Sequence, residues 1–338
     1  MHNAQFITSI YVYLRLIQTE MIRIRQYNSA QDRERWNDLV AVAPQATFLH
    51  SRDYMDYHGE RITDCSLMAT DERGRLLGVL PASVHQGIVT SHGGLTYGGW
   101  LTDARHVTGN EMVDMMRALV RYCREAGYHR LHYKPVPYIY HRCPAQDDIY
   151  CLWRHGAVVS AMNLSAVIEL DGAVQPPFNR GSRSSVTHAA NCGVRTQVSD
   201  CWGEYWHLLS EVLDERYQAS PVHSLDEITR LAAAFPDNIA LHVATLGSVI
   251  VAGVVVYYTH TVAHCQYIAA GAAGRKLRAL PLLMRDIMDS ARARGCRYMD
   301  FGTSNQCGGR LLNSSLLEQK ARMGGRGVVY PTYTISFD

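Results

Sequence analysis

The sequence predicts an α+β protein with a mixed sheet, built in two halves that repeat one order of elements. Each half reads as helices, then a β-meander, then helix–strand–helix–strand. The chain has 338 residues, enough for two domains that each bury a core. Apolar residues make up 47% and charged residues 19%, a globular composition.

The elements follow in order. Met21-Ile22-Arg23-Ile24-Arg25 alternates like a strand and opens the first domain, over 22–26. Residues 31–42 place Trp36, Leu39 and Val40 at helical spacing, and a short helix is expected around Tyr54. Ser66–Thr70 and Leu76–Ser83 read as strands joined by the turn Asp71-Glu72-Arg73-Gly74. A Gly-rich run, Ser91 to Trp100, could let a ligand approach the backbone. Residues 109–126 put Met112, Met115, Met116, Leu119, Val120 and Cys123 on one helical face and stop at Gly127. A strand at 129–133 follows, and Pro135 and Pro137 then break regularity.

In the second half Ala157–Leu170 reads as a long strand or a strand pair. Residues 180–191 fit a helix, and 203–216 another, with Tyr205, Leu208, Leu209, Val212 and Leu213 as its buried stripe. Ser224 with Glu227 is a capping box. Ile239–Ala244, Val249–Tyr258 and Ala263–Ala269 form a meander. A loop from Gly271 to Arg275 leads into a helix at 279–294. Strand 297–301, helix 311–322 and strand 328–336 close the chain.

Residues 1–20 stand apart. The run Ala4 to Ile17 is mostly apolar but broken by Arg15, too short to span a bilayer and without a preceding Lys or Arg. It reads as an extension or upstream start, with a membrane-surface anchor as the alternative. The first domain is then 21–160 and the second 161–338.

Charge and motifs exclude several classes. With 33 basic and 31 acidic residues, no global basic excess marks a nucleic-acid coat. Nine cysteines are irregularly spaced with no CxxC pair, which fits free thiols in the cytoplasm. Sixteen histidines share no ligand spacing with a Cys or carboxylate cluster, so no metal is expected. Dinucleotide, Walker A, HExxH and GxSxG motifs are missing.

The chain resembles the FemAB-like double-GNAT acyltransferases, over residues 21–338. The first half carries this at Phe48-Leu49-His50-Ser51, Leu95-Thr96-Tyr97-Gly98-Gly99 and Tyr133 to His141. The second carries it at Gln266-Tyr267, Met299-Asp300-Phe301-Gly302-Thr303-Ser304, Asn313 through Lys320 to Arg326, and Tyr330-Pro331-Thr332-Tyr333. The resemblance implies two tandem GNAT-like domains that move an acyl or aminoacyl group from acyl-CoA (acetyl-CoA), an acyl carrier protein or aminoacyl-tRNA. The acceptor would be an amine of a sugar, peptide or cell-envelope precursor. GNAT enzymes that use acetyl-CoA carry a Q/R-x-x-G-x-G/A loop for the pyrophosphate. Here Gly271, Gly274, Arg275 and Lys276 match it only in part. A degenerate, non-catalytic binding module is the alternative.

Acyl transfer to an amine needs a neutral amine, a stabilised oxyanion and a good leaving group. Lys320, matching a lysine that the family places in its late helix, is the candidate donor to an oxyanion or phosphate. Asp300, at a strand end, is the candidate base or partner of Lys320. Ser304 and Asn305 on the following loop, and Asn313, could bind substrate. Arg180 and Arg183, with Arg195, would meet a donor phosphate or tRNA. Strand alternation sets His264 and Gln266 on one face and Tyr267 on the other, one of which should line the cleft. Lys134, Tyr138, Tyr140 and His141 are candidates for acceptor binding.

Overall fold

The structure, a computed structural model, describes residues 22–174 and 178–337. The extension expected over 1–20, and Met21, lie outside them. The chain forms two compact units. One holds residues up to 136, 143–159 and 332–337, and the other holds 137–142 and 160–331.

In the first unit β1 (Arg23–Gln26) leads to α1 (Ser29–Val42). The Asn28 side chain caps α1 by accepting from Ala30 N, and Trp36, Leu39 and Val40 are buried. Then come α2 (Arg52–Met55), β2 (Leu67–Thr70) and β3 (Leu76–Leu80). The single strand expected over Leu76–Ser83 is two. Pro81 has no N–H to continue a ladder, so β3 stops and β4 (Ser83–His85) joins a different sheet. A tight turn at Gln86-Gly87 returns it as β5 (Ile88–Thr90), followed by β6 (Leu101–Thr102).

A capping box between Thr108 and Glu111 starts α3 (Gly109–Glu125). Its apolar stripe is fully buried at Met115, Met116, Leu119 and Cys123. Removing the Met115 side chain to Ala would cost about 2–5 kcal/mol. After α3 come β7 (Arg130–Tyr133) and α4 (Asp147–Arg154). One sheet has the order β1-β2-β3-β6. In the other, β5 pairs β7 in parallel across α3, and the closing residues Tyr333–Ser336 pair β7 in antiparallel.

The second unit is built on β8 (Val158–Glu169), a single strand, followed by α5 (Arg180–Asn191) and β9 (Val194–Ser199). Next are α6 (Trp202–Tyr217), α7 (Leu225–Ala234), β10 (Ile239–Leu246), β11 (Val249–Tyr258) and β12 (Val262–Ala270). The buried residues of α6 are Trp202, Tyr205, Trp206 and Leu209; Leu208, Val212 and Leu213 of the expected stripe are half-buried. The expected Gly271–Arg275 loop is a helical turn, α8 (Ala272–Lys276), and α9 (Ala279–Ala293) follows it.

The rest is β13 (Tyr298–Thr303), the short pair β14 (Asn305–Gln306) and β15 (Leu311–Leu312), α10 (Ser314–Arg322) and β16 (Arg326–Ser336). The expected helix start at residue 311 moves to Ser314. The Asn313 side chain accepts from Leu316 N and caps the helix there, while Leu311 and Leu312 pair with β14.

The strand order is β8-β13-β12-β11-β10-β9, antiparallel except where β12 meets β13. α9 crosses between those two strands. It packs Leu282, Leu283, Met284 and Ile287 into the apolar core formed with Val254, Val256, Cys265 and Met299.

Candidate active site

β12 and β13 run side by side only from Val262–His264 and Tyr298–Asp300. Beyond His264 and Asp300 they part. β12 stays with β11, and β13 stays with β8. The split opens into a cavity of about 340 Å³. Ile268, Ala269 and Ala270 line it from β12, Phe301 from β13, and Leu280 and Met284 from α9. A strand that has lost its neighbour presents unpaired N–H and C=O groups to whatever enters.

The cavity is cationic. Arg216, Arg275, Arg278 and Lys320 line it, and none of the described lining residues is acidic. Arg278 holds the left-handed backbone at the N-cap of α9, so the positive end of that helix borders the cavity beside Leu280. Arg275 reaches Glu215 at 3.5 Å and the Ala270 carbonyl at 3.0 Å.

Lys320 is 5% exposed. Its Nζ donates to the Gly302 carbonyl at 2.8 Å and the Thr303 carbonyl at 2.9 Å. An ammonium has three donors, so one is left, and the side chain faces the cavity. Burial pulls its pKa down to about 8, against the opposing charge of Asp300.

Asp300 makes no hydrogen bond or ion pair with Lys320, though its charge acts on it, and its carboxylate is wholly buried. Oδ2 accepts from His264 Nδ1 at 2.9 Å, Tyr140 OH at 2.9 Å and Tyr330 OH at 2.6 Å. Oδ1 accepts from Gly302 N at 2.8 Å and from Ser165 Oγ. Burial pushes the carboxyl up. The His264 charge and the donors His264, Ser165 and Tyr330 outweigh it and hold the group below the usual carboxylate range. A carboxylate with its lone pairs filled and its pKa depressed is a poor general base, which corrects the expectation of that role.

The face expected for β12 is also corrected. Tyr267 pairs with Val255 and Cys265 with Val256, so Gln266 is an extra residue in a bulge. The bulge puts Tyr267 on the same face as His264. Tyr267 OH bonds His223 Nδ1 at 2.6 Å and packs on Trp206. The cavity instead takes Ile268 and Ala270.

Other expected contacts are spent internally. Asn305 holds Leu164 N and Asn163, and Asn313 caps α10. Ser304 is 1% exposed, and its Oγ makes no hydrogen bond among the described residues. Gly274 lines the cavity and also packs on the sheet, where a Cβ would lie 2.1 Å from the Val251 carbonyl. Gly271 N is taken by the same carbonyl. Arg180 and Arg183 are exposed on α5 and do not line the cavity; Arg183 turns back to the Phe178 carbonyl.

Lys134 belongs to the first unit, whereas Tyr138 and His141 belong to the second. Among the described residues no group of three or more His, Cys, Asp or Glu is placed to hold a metal ion. The residues that sequence reasoning missed are Arg216, Arg278, and Ser165, Tyr140 and Tyr330 as donors to Asp300. The basic run Arg275-Lys276-Leu277-Arg278 was a visible signal. The left-handed backbone of Arg278 was not.

Parallel strands parted around a cavity behind a crossing helix, within a large mixed sheet, give the second unit the GNAT acyltransferase fold. The family described as an acetyltransferase (GNAT) domain matches residues 183–307. Among solved structures the chain is similar to FemX, at 12% identity and TM-score 0.64, covering 93% of this chain and 97% of that one. It is also similar to the C-terminal domain (DUF2156) of a putative lysylphosphatidylglycerol synthetase from Agrobacterium fabrum, at 15% identity and TM-score 0.57, covering 92% of each. A third likeness is L-PGS from Bacillus licheniformis, at 11% identity and TM-score 0.53, over 78% of this chain and 82% of that one. At these identities the shared feature is the fold. No curated protein matches the sequence. Among the described residues no helix is long and apolar enough to cross a membrane.

Proposed function

We propose that this protein transfers an acyl or aminoacyl group from a phosphate-bearing donor to an amine, at the parting of β12 and β13. The cation-rimmed cavity in that split carries the reading. Its apolar floor suits an acyl chain or linker. Its unpaired strand edge can hydrogen-bond amides along an extended donor arm. Arg216, Arg278 and the N-terminus of α9 suit the donor's phosphates. Lys320 would then present its remaining N–H to the carbonyl oxygen as charge develops there.

Donors consistent with this are acyl-CoA and aminoacyl-tRNA, the FemX-like fold making the second worth testing. An acyl carrier protein is a further candidate. The acceptor would be an amine of a sugar, a peptide or a cell-envelope precursor in the cytoplasm, with the transfer site in the second unit, which holds 160–331 of the expected 161–338 domain.

Thermal shift and native mass spectrometry against acetyl-CoA, longer acyl-CoAs, acyl carrier protein and charged tRNA test the reading. Stabilisation by one donor is expected, and it should be weakened by Arg278→Ala. A tRNA donor would add a salt slope of about one log unit per phosphate contact. No stabilisation by any donor would turn the protein into a binding module with a degenerate site.

A further inference from the structure

We propose that His264 is the proton acceptor for the incoming amine, with Asp300 as its positioning residue. The inference rests on the acyl-transfer reading above and names a group for its one unassigned step.

His264 is the last β12 residue paired with β13, so it stands at the vertex where the strands part. Its Nδ1 is fixed by Asp300 Oδ2 at 2.9 Å, with Tyr140 OH at 3.3 Å. Its Nε2 makes no hydrogen bond among the described residues, and the side chain is 15% exposed. In its neutral form, an imidazole held at one nitrogen by a buried carboxylate keeps a defined tautomer and leaves the other nitrogen as a lone-pair acceptor.

Gly302 stands between this ring and Lys320; neither His264 nor Gly302 itself lines the cavity, which Lys320 does. A Cβ on Gly302 would lie 3.7 Å from His264 Cε1, and the Gly302 carbonyl accepts from Lys320. The base and the oxyanion donor therefore flank one residue.

The groups facing His264 are Asp300 from β13, Tyr140 from the 137–142 segment and Tyr257 opposite it on β11. Ser165 of β8 and Tyr330 of β16 reach Asp300. Lys320 of α10 stands across Gly302. Asp300 is the only carboxylate in this set, and its other donors spread its charge over a rigid frame.

Nε2 takes one proton from the ammonium form of the acceptor. The freed lone pair on nitrogen forms the bond to the donor carbonyl carbon. The bond from that carbon to the leaving oxygen or sulfur breaks, and its electron pair departs with the leaving group. The surplus proton on the new amide nitrogen passes to the leaving group, and His264 releases its own to solvent.

The test uses His264→Asn, whose side-chain amide can still donate to Asp300, and His264→Gln. Turnover is measured with the donor that stabilises the wild type, once with glucosamine or glycylglycine and once with hydroxylamine. Hydroxylamine is largely unprotonated at neutral pH and needs no base.

Both variants should lose about 10²- to 10⁴-fold in kcat/KM with the ammonium-type acceptors. They should stay within a few-fold of wild type with hydroxylamine and keep full stabilisation by donor. Added imidazole should restore part of the loss, and the acid limb of the pH profile should vanish.

An unchanged rate and pH profile, or an equal loss with hydroxylamine, would overturn the proposal and leave acyl transfer intact. A wild type that turns over neither acceptor class would instead remove the acyl-transfer reading itself.

Discussion

In the first unit β5 and β7 run parallel from Ile88–Thr90 and Arg130–His132, with α3 crossing between them. In the second, β12 and β13 do the same from Val262–His264 and Tyr298–Asp300, with α9 crossing. Past the last pair the two differ. In the first unit the chain itself returns across the gap. Ser91 N donates to the His132 carbonyl, Gly98 N to the Lys134 carbonyl, and Lys134 Nζ to the Leu95 carbonyl. Tyr97, 3% exposed, packs beneath. In the second unit the gap is the cavity. One β–α–β crossing can therefore be closed by a glycine-rich turn or left open as a site. The Gly-rich run read as a place for a ligand is where the chain approaches itself.

The same comparison separates two buried carboxylates. Asp300 accepts from side-chain and backbone donors on both oxygens and stays ionised. Asp148 receives Tyr133 OH at 2.8 Å and backbone N–H of its own helix, and burial pushes it up to about 6. Burial is the largest cause at both; at Asp300 the His264 charge and the donors outweigh it, and at Asp148 its donors do not.

The largest expected effect is Asp300→Asn. It leaves several buried donors unmatched and should cost on the order of 3–5 kcal/mol in chemical unfolding. Asp148→Asn should act in the opposite direction. A folded pKa raised to about 6 gives stability that is full below the unfolded value and lost as pH rises through 6. The substitution should then stabilise the protein above pH 6, by up to about 3 kcal/mol, and do little below pH 4. Asp300, with its pKa depressed, contributes stability above the ordinary carboxylate value that is lost as pH falls beneath it. Unfolding series carried from pH 8 down to pH 2 read both signs, Asp148 between pH 4 and 6 and Asp300 below pH 4. Matching slopes for the two variants would break the comparison.

Next in size is the lysine pair. Of the chain's lysines, Lys134, Lys276 and Lys320, two are buried deeply enough to fall to about 8. Lys320→Met should lower kcat/KM by about 10²- to 10³-fold with the fold retained. Lys134→Met removes the tie to Leu95 and should leave kcat within a few-fold. A raised acceptor KM in Lys134→Met would instead bring the first unit into acceptor binding.

How much of this was legible depends on range. The stripe of α3 and the meander of β10 to β12 follow from periodicity and turn residues, and Asp300 from its place at a strand end, all of which are local; Lys320 is singled out by the family resemblance. The bulge at Gln266, the left-handed Arg278 and the gathering of Ser165, Tyr140 and Tyr330 around Asp300 join residues up to 190 positions apart, as between Tyr140 and Tyr330. No spacing rule reaches them. Asp300 was visible as a strand-end acid, but its burial and its role depended on the donors that the fold supplies.

The smallest effect concerns the glycines at the two gaps. At Gly98 a Cβ would sit 2.6 Å from the Ser91 carbonyl, and neither backbone can give way without undoing the closing turn. Gly98→Ala should therefore lower thermal stability by more than strain alone, about 1–3 kcal/mol. Gly302 has φ 76° and nothing nearer to its Cβ position than 3.7 Å. Gly302→Ala meets only the left-handed penalty, about 1–2 kcal/mol. That penalty is relieved by turning the peptide whose carbonyl holds Lys320. The variant should thus lose little stability but several-fold in kcat, measured beside Gly98→Ala, which should lose stability and keep its kcat. If Gly302→Ala kept full turnover at the wild-type melting temperature, the Lys320 tie to Gly302 would have no part in the chemistry, and the open gap would differ from the closed one in volume alone.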